Sequence, residues 1–280
     1  MSKQVTSYRA NKILFNFLKS NHLRGTVILP ANICPDVVDT LRYAGNTLHF
    51  VDIDARTLCM DWQQVQSVVQ GAVAVLAVHT YGIEEDFNEK FETLRAINPK
   101  IAIIDDRCLC MPELDEPNST GDLVLYSMCS KKQVDLGVGG IGYVADGWNY
   151  EEIDVPENDV LTNESWVLDE KTLLAKMDAV IKHKEKLNAI YHKNLPAAIQ
   201  LPAPYQHWRF NIIVPNKEEI LRALFDAGLF ASGHYQPQAE GCTVATNLYN
   251  RIINLFNDDY FTEEQAMISC KIFNEIQNKR

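Results

Sequence analysis

Leu123-Val-Leu-Tyr-Ser-Met-Cys-Ser-Lys-Lys-Gln-Val-Asp-Leu-Gly-Val-Gly-Gly140 is the stretch that decides the fold. Its opening, Leu123 to Met128, is an apolar run of strand length that leads through Ser127 to Lys131-Lys132 and a glycine-rich return. Upstream, Ile101-Ala-Ile-Ile104 is a second apolar run, and it ends in Asp105-Asp106. Short runs without alternation read as strands buried on both faces, as in parallel sheets covered by helices. In such sheets the working groups collect beyond the carboxyl ends of the strands. A lysine and a carboxylate at two such ends are the pair that pyridoxal phosphate (PLP) chemistry needs. The amine holds the cofactor's aldehyde covalently, and the carboxylate keeps the pyridine nitrogen protonated so that the ring can draw electrons.

Outward from this stretch, the first half alternates strand and helix. Helices are predicted at Ala10–Lys19, Pro35–Ala44, Asp61–Val69 and Phe87–Ala96. Proline suits the first turn at Pro35, and Gly45 ends that helix. Strands are predicted at Thr26–Leu29, Leu48–Val51, Ala72–His79, Ile101–Ile104 and Leu123–Met128. Their carboxyl ends carry Asp52 and Asp54, His79, Asp105 and Asp106, and Ser127 through Lys132. The second half changes character. Trp148 to Glu170 is acidic and aperiodic, and reads as a long surface connection. A helix over Leu168–Lys193 follows, then the Pro-rich Leu201-Pro-Ala-Pro204, a strand at Phe210–Val214 and a helix at Glu218–Ala227. The last helix, Thr262–Asn278, opens on Thr262-Glu-Glu-Gln265, a capping box. The expected fold is α/β. Residues 1–150 form a large cofactor-binding domain with a mainly parallel sheet covered by helices, and 151–280 form the connection, a long helix and a small C-terminal α+β domain.

Composition narrows the functional classes. The chain has 280 residues, 46% hydrophobic and 22% charged, in the ordinary range for a globular protein. A net charge of -11 argues against general affinity for nucleic acid or anionic membrane. No apolar run approaches the roughly 20 residues of a membrane helix, and Met1-Ser-Lys-Gln-Val-Thr6 opens no apolar signal core. The expected location is the cytoplasm. Seven scattered cysteines include one close pair, Cys108-Leu-Cys110, whose spacing is wrong for zinc. They read as free packing thiols, and no metal site is expected.

Several stretches resemble the DegT–StrS sugar aminotransferases, PLP enzymes of the aspartate aminotransferase architecture (fold type I). Val27-Ile-Leu-Pro30, Phe50-Val-Asp-Ile-Asp54 and Ala77-Val-His-Thr-Tyr-Gly82 look like that family's early elements. Ile103-Ile-Asp-Asp106 looks like its acidic pair, whose second member contacts the pyridine nitrogen, and so carries that role to Asp106. Tyr126, Ser127, Lys132 and Gly137-Val-Gly-Gly140 meet its lysine pattern. That register implies the covalent attachment at Lys132, not Lys131, and assigns Ser127 to the cofactor phosphate. Gly233-His-Tyr-Gln-Pro237 looks like its G-x-H-Y-x-P. The chain also departs from the pattern. It starts near the family's phosphate-binding S-G-T turn, where it has Thr6-Ser-Tyr-Arg9 without the glycine. The ring-stacking aromatic is replaced around Cys34, and a glutamine after the pyridine acid is Leu109.

The leading reading is a PLP-dependent aminotransferase in which Lys132 and Asp106 are catalytic. The resemblance implies an amino acid donor and a keto group on a nucleotide-linked sugar as acceptor. Ser127, Arg9 and His79 complete the expected cofactor contacts, Arg9 because charge at a helix start favours an anion there. A like charge on Lys131 is expected to lower the Lys132 pKa. Arg209, beside Trp208, is a candidate for a substrate carboxylate or phosphate, and His234 and Tyr235 for the cleft between the two domains. Asp105 reads as structural. By resemblance, and because closed two-fold assemblies are the commonest, a homodimer is expected. The second reading, favoured by the departures, is a degenerate member that binds a ligand or partner without catalysis.

Overall fold

The computed structural model describes residues 2–278. The larger sheet has seven strands: β1 (Lys3–Ser7), β2 (Thr26–Pro30), β3 (Thr47–Val51), β4 (Ala74–Val78), β5 (Ala102–Asp106), β6 (Leu123–Ser127) and β7 (Gly140–Val144). Their order across the sheet is β1-β7-β6-β5-β4-β2-β3. The block from β3 to β6 is parallel throughout, and β7 runs antiparallel to both β6 and β1. The expected mainly parallel α/β sheet is present.

Alternation along the buried strands builds a core on each face. Ile28, Val75, Ala77 and Ile103 pack on one side with Phe91 and Leu94 of α4 (Asn88–Ile97). Val27, Leu29, Ala74, Leu76 and Ile104 pack on the other with Ile13, Leu14 and Phe17 of α1 (Ala10–Ser20). Two helices complete the layers, α2 (Pro35–Tyr43) and α3 (Trp62–Val68). A central strand that must satisfy both cores has no room for alternating polarity, which is why these strands read as apolar runs.

The residues from Trp148 to Asn163 differ from the expected surface connection. They form a strap that closes over α1. Trp148 packs against Phe17 at 5.3 Å between ring centroids, and Val155, Val160 and Leu161 are buried in the α1 core. Lys12, itself buried, reaches the Ile153 carbonyl and the Asn163 side chain. The strap has no repeating conformation, so hydrophobic periodicity could not reveal it.

The long helix α5 (Glu170–Asn194) leads to a three-stranded antiparallel sheet ordered β8-β10-β9, made of β8 (Phe210–Ile213), β9 (Ala231–Ser232) and β10 (Ile252–Leu255). Helices α6 (Lys217–Asp226), α7 (Thr243–Arg251) and α8 (Glu263–Gln277) accompany it. Leu187, Tyr191, Phe210, Ile212, Leu224, Ile253 and Phe273 form its own core. The capping box at Thr262 is made in both directions. Among the described residues no helix is long and apolar enough to cross a membrane, and no cluster of side chains could hold a metal ion.

Candidate active site

β5 and β6 lie side by side, with Asp106 in register with Leu125, so the end of one strand and the turn after the other open on a common space. That space is a cavity of about 270 Å³, near the lower end of the range, roughly 300–1,000 Å³, that holds small ligands. Lys132, Asp106 and Ser127 all line it, and so do Arg9, Ala10 and Asn11 at the start of α1.

The start of α1 reaches this space because β7 lets it. A Cβ on Gly140 would sit 2.5 Å from the Ala10 nitrogen, and one on Gly142 would sit 2.7 Å from Ile13 Cγ2. Glycine at both places is a steric requirement, and it brings the first turn of α1 beside Ser127, the residue paired with Gly140. The first amides of a helix have no intrahelical acceptor. Arg9, the N-cap, supplies no side-chain cap; its Nη1 donates instead to the Asp159 carbonyl at 2.8 Å. Open amides, a buried hydroxyl and an arginine make a phosphate cradle of conventional chemistry.

At the other end, Asp106 is buried and its Oδ1 accepts the Cys108 amide at 3.0 Å. Lys132 is half-buried in the cavity wall, and among the described residues no hydrogen bond or ion pair holds its Nζ. Burial works to lower its pKa. Cys108, Tyr235, Cys34 and Asp106 together outweigh that, and the ammonium stays above its ordinary value. The expected lowering by Lys131 is not found. Lys131 is exposed in a left-handed conformation (φ 69°), its amide donating to Asp135 at 2.9 Å and its carbonyl accepting from Trp208 Nε1 at 2.8 Å. An unengaged amine, a buried carboxylate and an anion cradle on one cavity fit PLP.

His79 does not join them. Side chains alternate along a strand, so Val78 and Asp106 face the cavity while His79 and Asp105 fall on the opposite face. There His79 Nε2 lies 2.7 Å from Asp105 Oδ1, its Nδ1 lies 2.8 Å from the Ile83 carbonyl, and its ring lies against Phe87. Arg107 Nε and Ser119 Oγ complete the partners of Asp105, at 2.9 and 2.7 Å. Burial opposes the Asp105 charge, but His79, Arg107 and Ser119 outweigh it and hold the carboxyl below its usual range. Its contribution to stability is therefore fully present above the unfolded pKa of about 4 and is lost as pH falls through the lower folded value. Asp105→Asn is expected to cost about 1–3 kcal/mol by weakening the buried hydrogen bonds to His79, Arg107 and Ser119, and to flatten the acid limb of stability. Urea unfolding at pH 7 and at a pH well below about 4 checks both.

Arg209 is also placed elsewhere. It is 2% exposed, with its guanidinium between Trp208 and Phe256, its Nε 3.3 Å from Asp258 and its Nη1 donating to Ser232 at 2.9 Å. It stands at the threshold of β8, within the smaller unit, and does not line the cavity. His234 and Tyr235, by contrast, are in the cavity wall. His234 takes a left-handed conformation (φ 55°) and donates from Nε2 to the Asn32 carbonyl at 3.1 Å. Burial lowers its pKa to about 4, so the ring is neutral at pH 7. Burial, with Cys34 beside it, raises the Tyr235 phenol, against the opposing pull of Lys132.

Sequence reading passes over Asn32, Cys108 and Cys129, which share the wall. Asn32 stands just beyond Pro30 at the carboxyl end of β2, where the strand-end rule could have found it. It was missed because nothing there ionises.

The DegT/DnrJ/EryC1/StrS aminotransferase family model matches residues 9–163. No curated protein sequence matches the chain. Among solved structures, a DegT DnrJ EryC1 StrS aminotransferase from Brucella abortus superposes with a TM-score of 0.76 at 16% identity, over 98% of this chain and 85% of its own. Spr1654 from Streptococcus pneumoniae, solved in a PLP-form, gives 0.76 at 16%, over 99% and 87%. DesI, solved in the presence of its TDP-sugar product, gives 0.78 at 18%, over 99% and 82%. At these identities the likeness speaks for the fold.

Proposed function

The chain belongs to the DegT/DnrJ/EryC1/StrS aminotransferase family, and from that premise we propose that it transfers an amino group from an amino acid to the keto group of a nucleotide-linked sugar. Its cofactor is PLP, and its place is the biosynthesis of polysaccharides or secondary metabolites. The observation that carries the reading is the convergence of Lys132, Asp106, Ser127 and the start of α1 on one cavity.

When bound, PLP supplies a covalent link to the nitrogen being transferred and a ring that stabilises negative charge on the adjacent carbon. Lys132 would hold the cofactor, then, once released, take the proton from the donor's α-carbon and return it at the C4′ carbon. Asp106 would hold the proton on the pyridine nitrogen, its own position fixed by the Cys108 amide. Ser127, the open amides at Ala10 and Asn11, and Arg9 would bind the phosphate. Tyr235 and the neutral His234 would close the cavity from the side of the smaller sheet and bound the acceptor.

Protein loaded with PLP should lose its visible band on adding a competent amino donor and regain it on adding a TDP-linked keto sugar, with the aminated product seen by mass spectrometry. A protein with no visible band, or one whose band no amino acid discharges, would instead be a binder without catalysis.

We also propose a homodimer, the commonest closed assembly, and a cytoplasmic location, which seven unpaired thiols suit. Cofactor retention is expected to rise with protein concentration. Light scattering that shows a monomer still holding PLP tightly would refute the dimer.

A further inference from the structure

Left-handed backbone is uncommon outside glycine, and where it occurs the surrounding structure must hold it there. Of the five such non-glycine residues among those described, three are linked by contacts through one side chain: Tyr81 (φ 58°), Lys131 (φ 69°) and His234 (φ 55°). That side chain is Trp208. Its Nε1 donates to the Lys131 carbonyl at 2.8 Å, and its ring lies parallel to that of Tyr81 at 6.2 Å between centroids. Tyr81 in turn meets the His234 ring edge-on at 4.8 Å. Trp208 is itself fixed. It is 6% exposed, the Arg209 guanidinium lies 4.8 Å over its ring, and the Lys184 ammonium donates to its carbonyl at 2.8 Å.

The bond to Lys131 bears directly on Lys132. The Lys131 carbonyl and the Lys132 N–H belong to one planar peptide group. Trp208 holds its oxygen, its N–H donates to the Cys129 carbonyl at 3.2 Å, and Asp135 holds the Lys131 amide. Turning that peptide would swing the Lys132 side chain away from the cavity it lines. A lysine, unlike glycine, resists the left-handed form, so the position needs an outside hold. Cys129 and Asp135 belong to the same turn and move with it. Trp208 comes from 77 positions away and is anchored in a packed core. Resting on the aminotransferase reading above, we infer that Trp208 is a positioning residue for that reaction, holding the peptide before Lys132 in a strained form that aims the amine at the cofactor.

Two probes separate the aim of Lys132 from the general fit of the cavity. PLP carries an aldehyde that attaches to the lysine amine. Pyridoxamine phosphate has the same ring and phosphate but cannot attach. Trp208→Phe keeps an aromatic ring in the core and removes the N–H. In titration calorimetry on the full chain freed of cofactor, this variant is expected to lose roughly tenfold more affinity for PLP than for pyridoxamine phosphate, because the strained form is no longer held in most molecules. Asparagine tolerates the left-handed region, so adding Lys131→Asn to Trp208→Phe should recover most of that difference. If Trp208→Phe does not fold, Lys131→Val makes the same test with Trp208 in place, since a β-branched residue is disfavoured there; PLP should again weaken more than pyridoxamine phosphate. Equal losses for the two probes in either variant, or no recovery by Lys131→Asn, would overturn the assignment and leave Trp208 a packing residue. Wild type that attaches no PLP at Lys132 would instead sink the aminotransferase reading, so the two failures are told apart.

Discussion

Lys132→Ala is expected to abolish the visible band given by PLP and to stop the reaction with the amino donor, while Lys131→Ala leaves both in place. The two neighbours differ in surroundings. Lys132 lines the cavity with an unengaged amine, whereas the backbone of Lys131 is tied to Asp135 and Trp208 and its side chain is exposed. A positioned proton-transfer group alone is worth about 10²–10⁴ in rate, and Lys132 carries covalent attachment as well, so the loss should exceed that range. Borohydride reduction and peptide mass mapping give a second readout. Cofactor mass on Lys132 is the expected result, and mass on Lys131 would show the register to be wrong by one.

Asp106→Asn should keep PLP bound but lower the rate by roughly 10²-fold or more, again taking the worth of a group that manages a proton. The amide oxygen can still accept the Cys108 N–H, so the strand end should stay in place. What is lost is the negative charge that keeps the pyridine nitrogen protonated. Single-turnover rates, compared with those of Asp105→Asn, decide the assignment. Asp105 is enclosed by His79, Arg107 and Ser119 on the other face of the sheet, and its replacement should affect stability more than rate. If Asp105→Asn were the slower enzyme, the two acids would have been exchanged.

The parallel block of the sheet was legible because strands buried on both faces leave unbroken apolar runs. β1 was not, since Lys-Gln-Val-Thr-Ser is polar and edge-lying, with its first residues exposed. β7 was hidden by its glycines, which lower strand propensity and are there for the approach of α1. At the site, the charged residues Lys132 and Asp106 announced themselves by chemistry at strand ends. The position of a residue in the chain does not show which way its side chain turns. His79 stands one place beyond Val78 and so falls to the far face, and Arg209 is held by Asp258 across a gap of 49 positions that no local pattern reports.

The cavity draws its wall from both parts of the chain. His234 and Tyr235 follow β9, and the remaining groups belong to the larger sheet. Tyr205, Trp208, Ala245, Leu248 and Ile252 pack into the core of the larger sheet, and hydrogen bonds fasten the halves further. Trp208 Nε1 bonds the Lys131 carbonyl, Asp52 accepts the Val244 and Ala245 amides at 2.9 Å each, and Tyr205 reaches the Thr57 carbonyl at 2.9 Å. Anything seated between the halves touches both, and so acts as one more fastening. Coupling of this kind is reciprocal: by whatever factor a substrate tightens the docking of the halves, loosening Trp208 or Asp52 must weaken the substrate. Affinity in this protein is therefore set partly by residues that never meet the ligand.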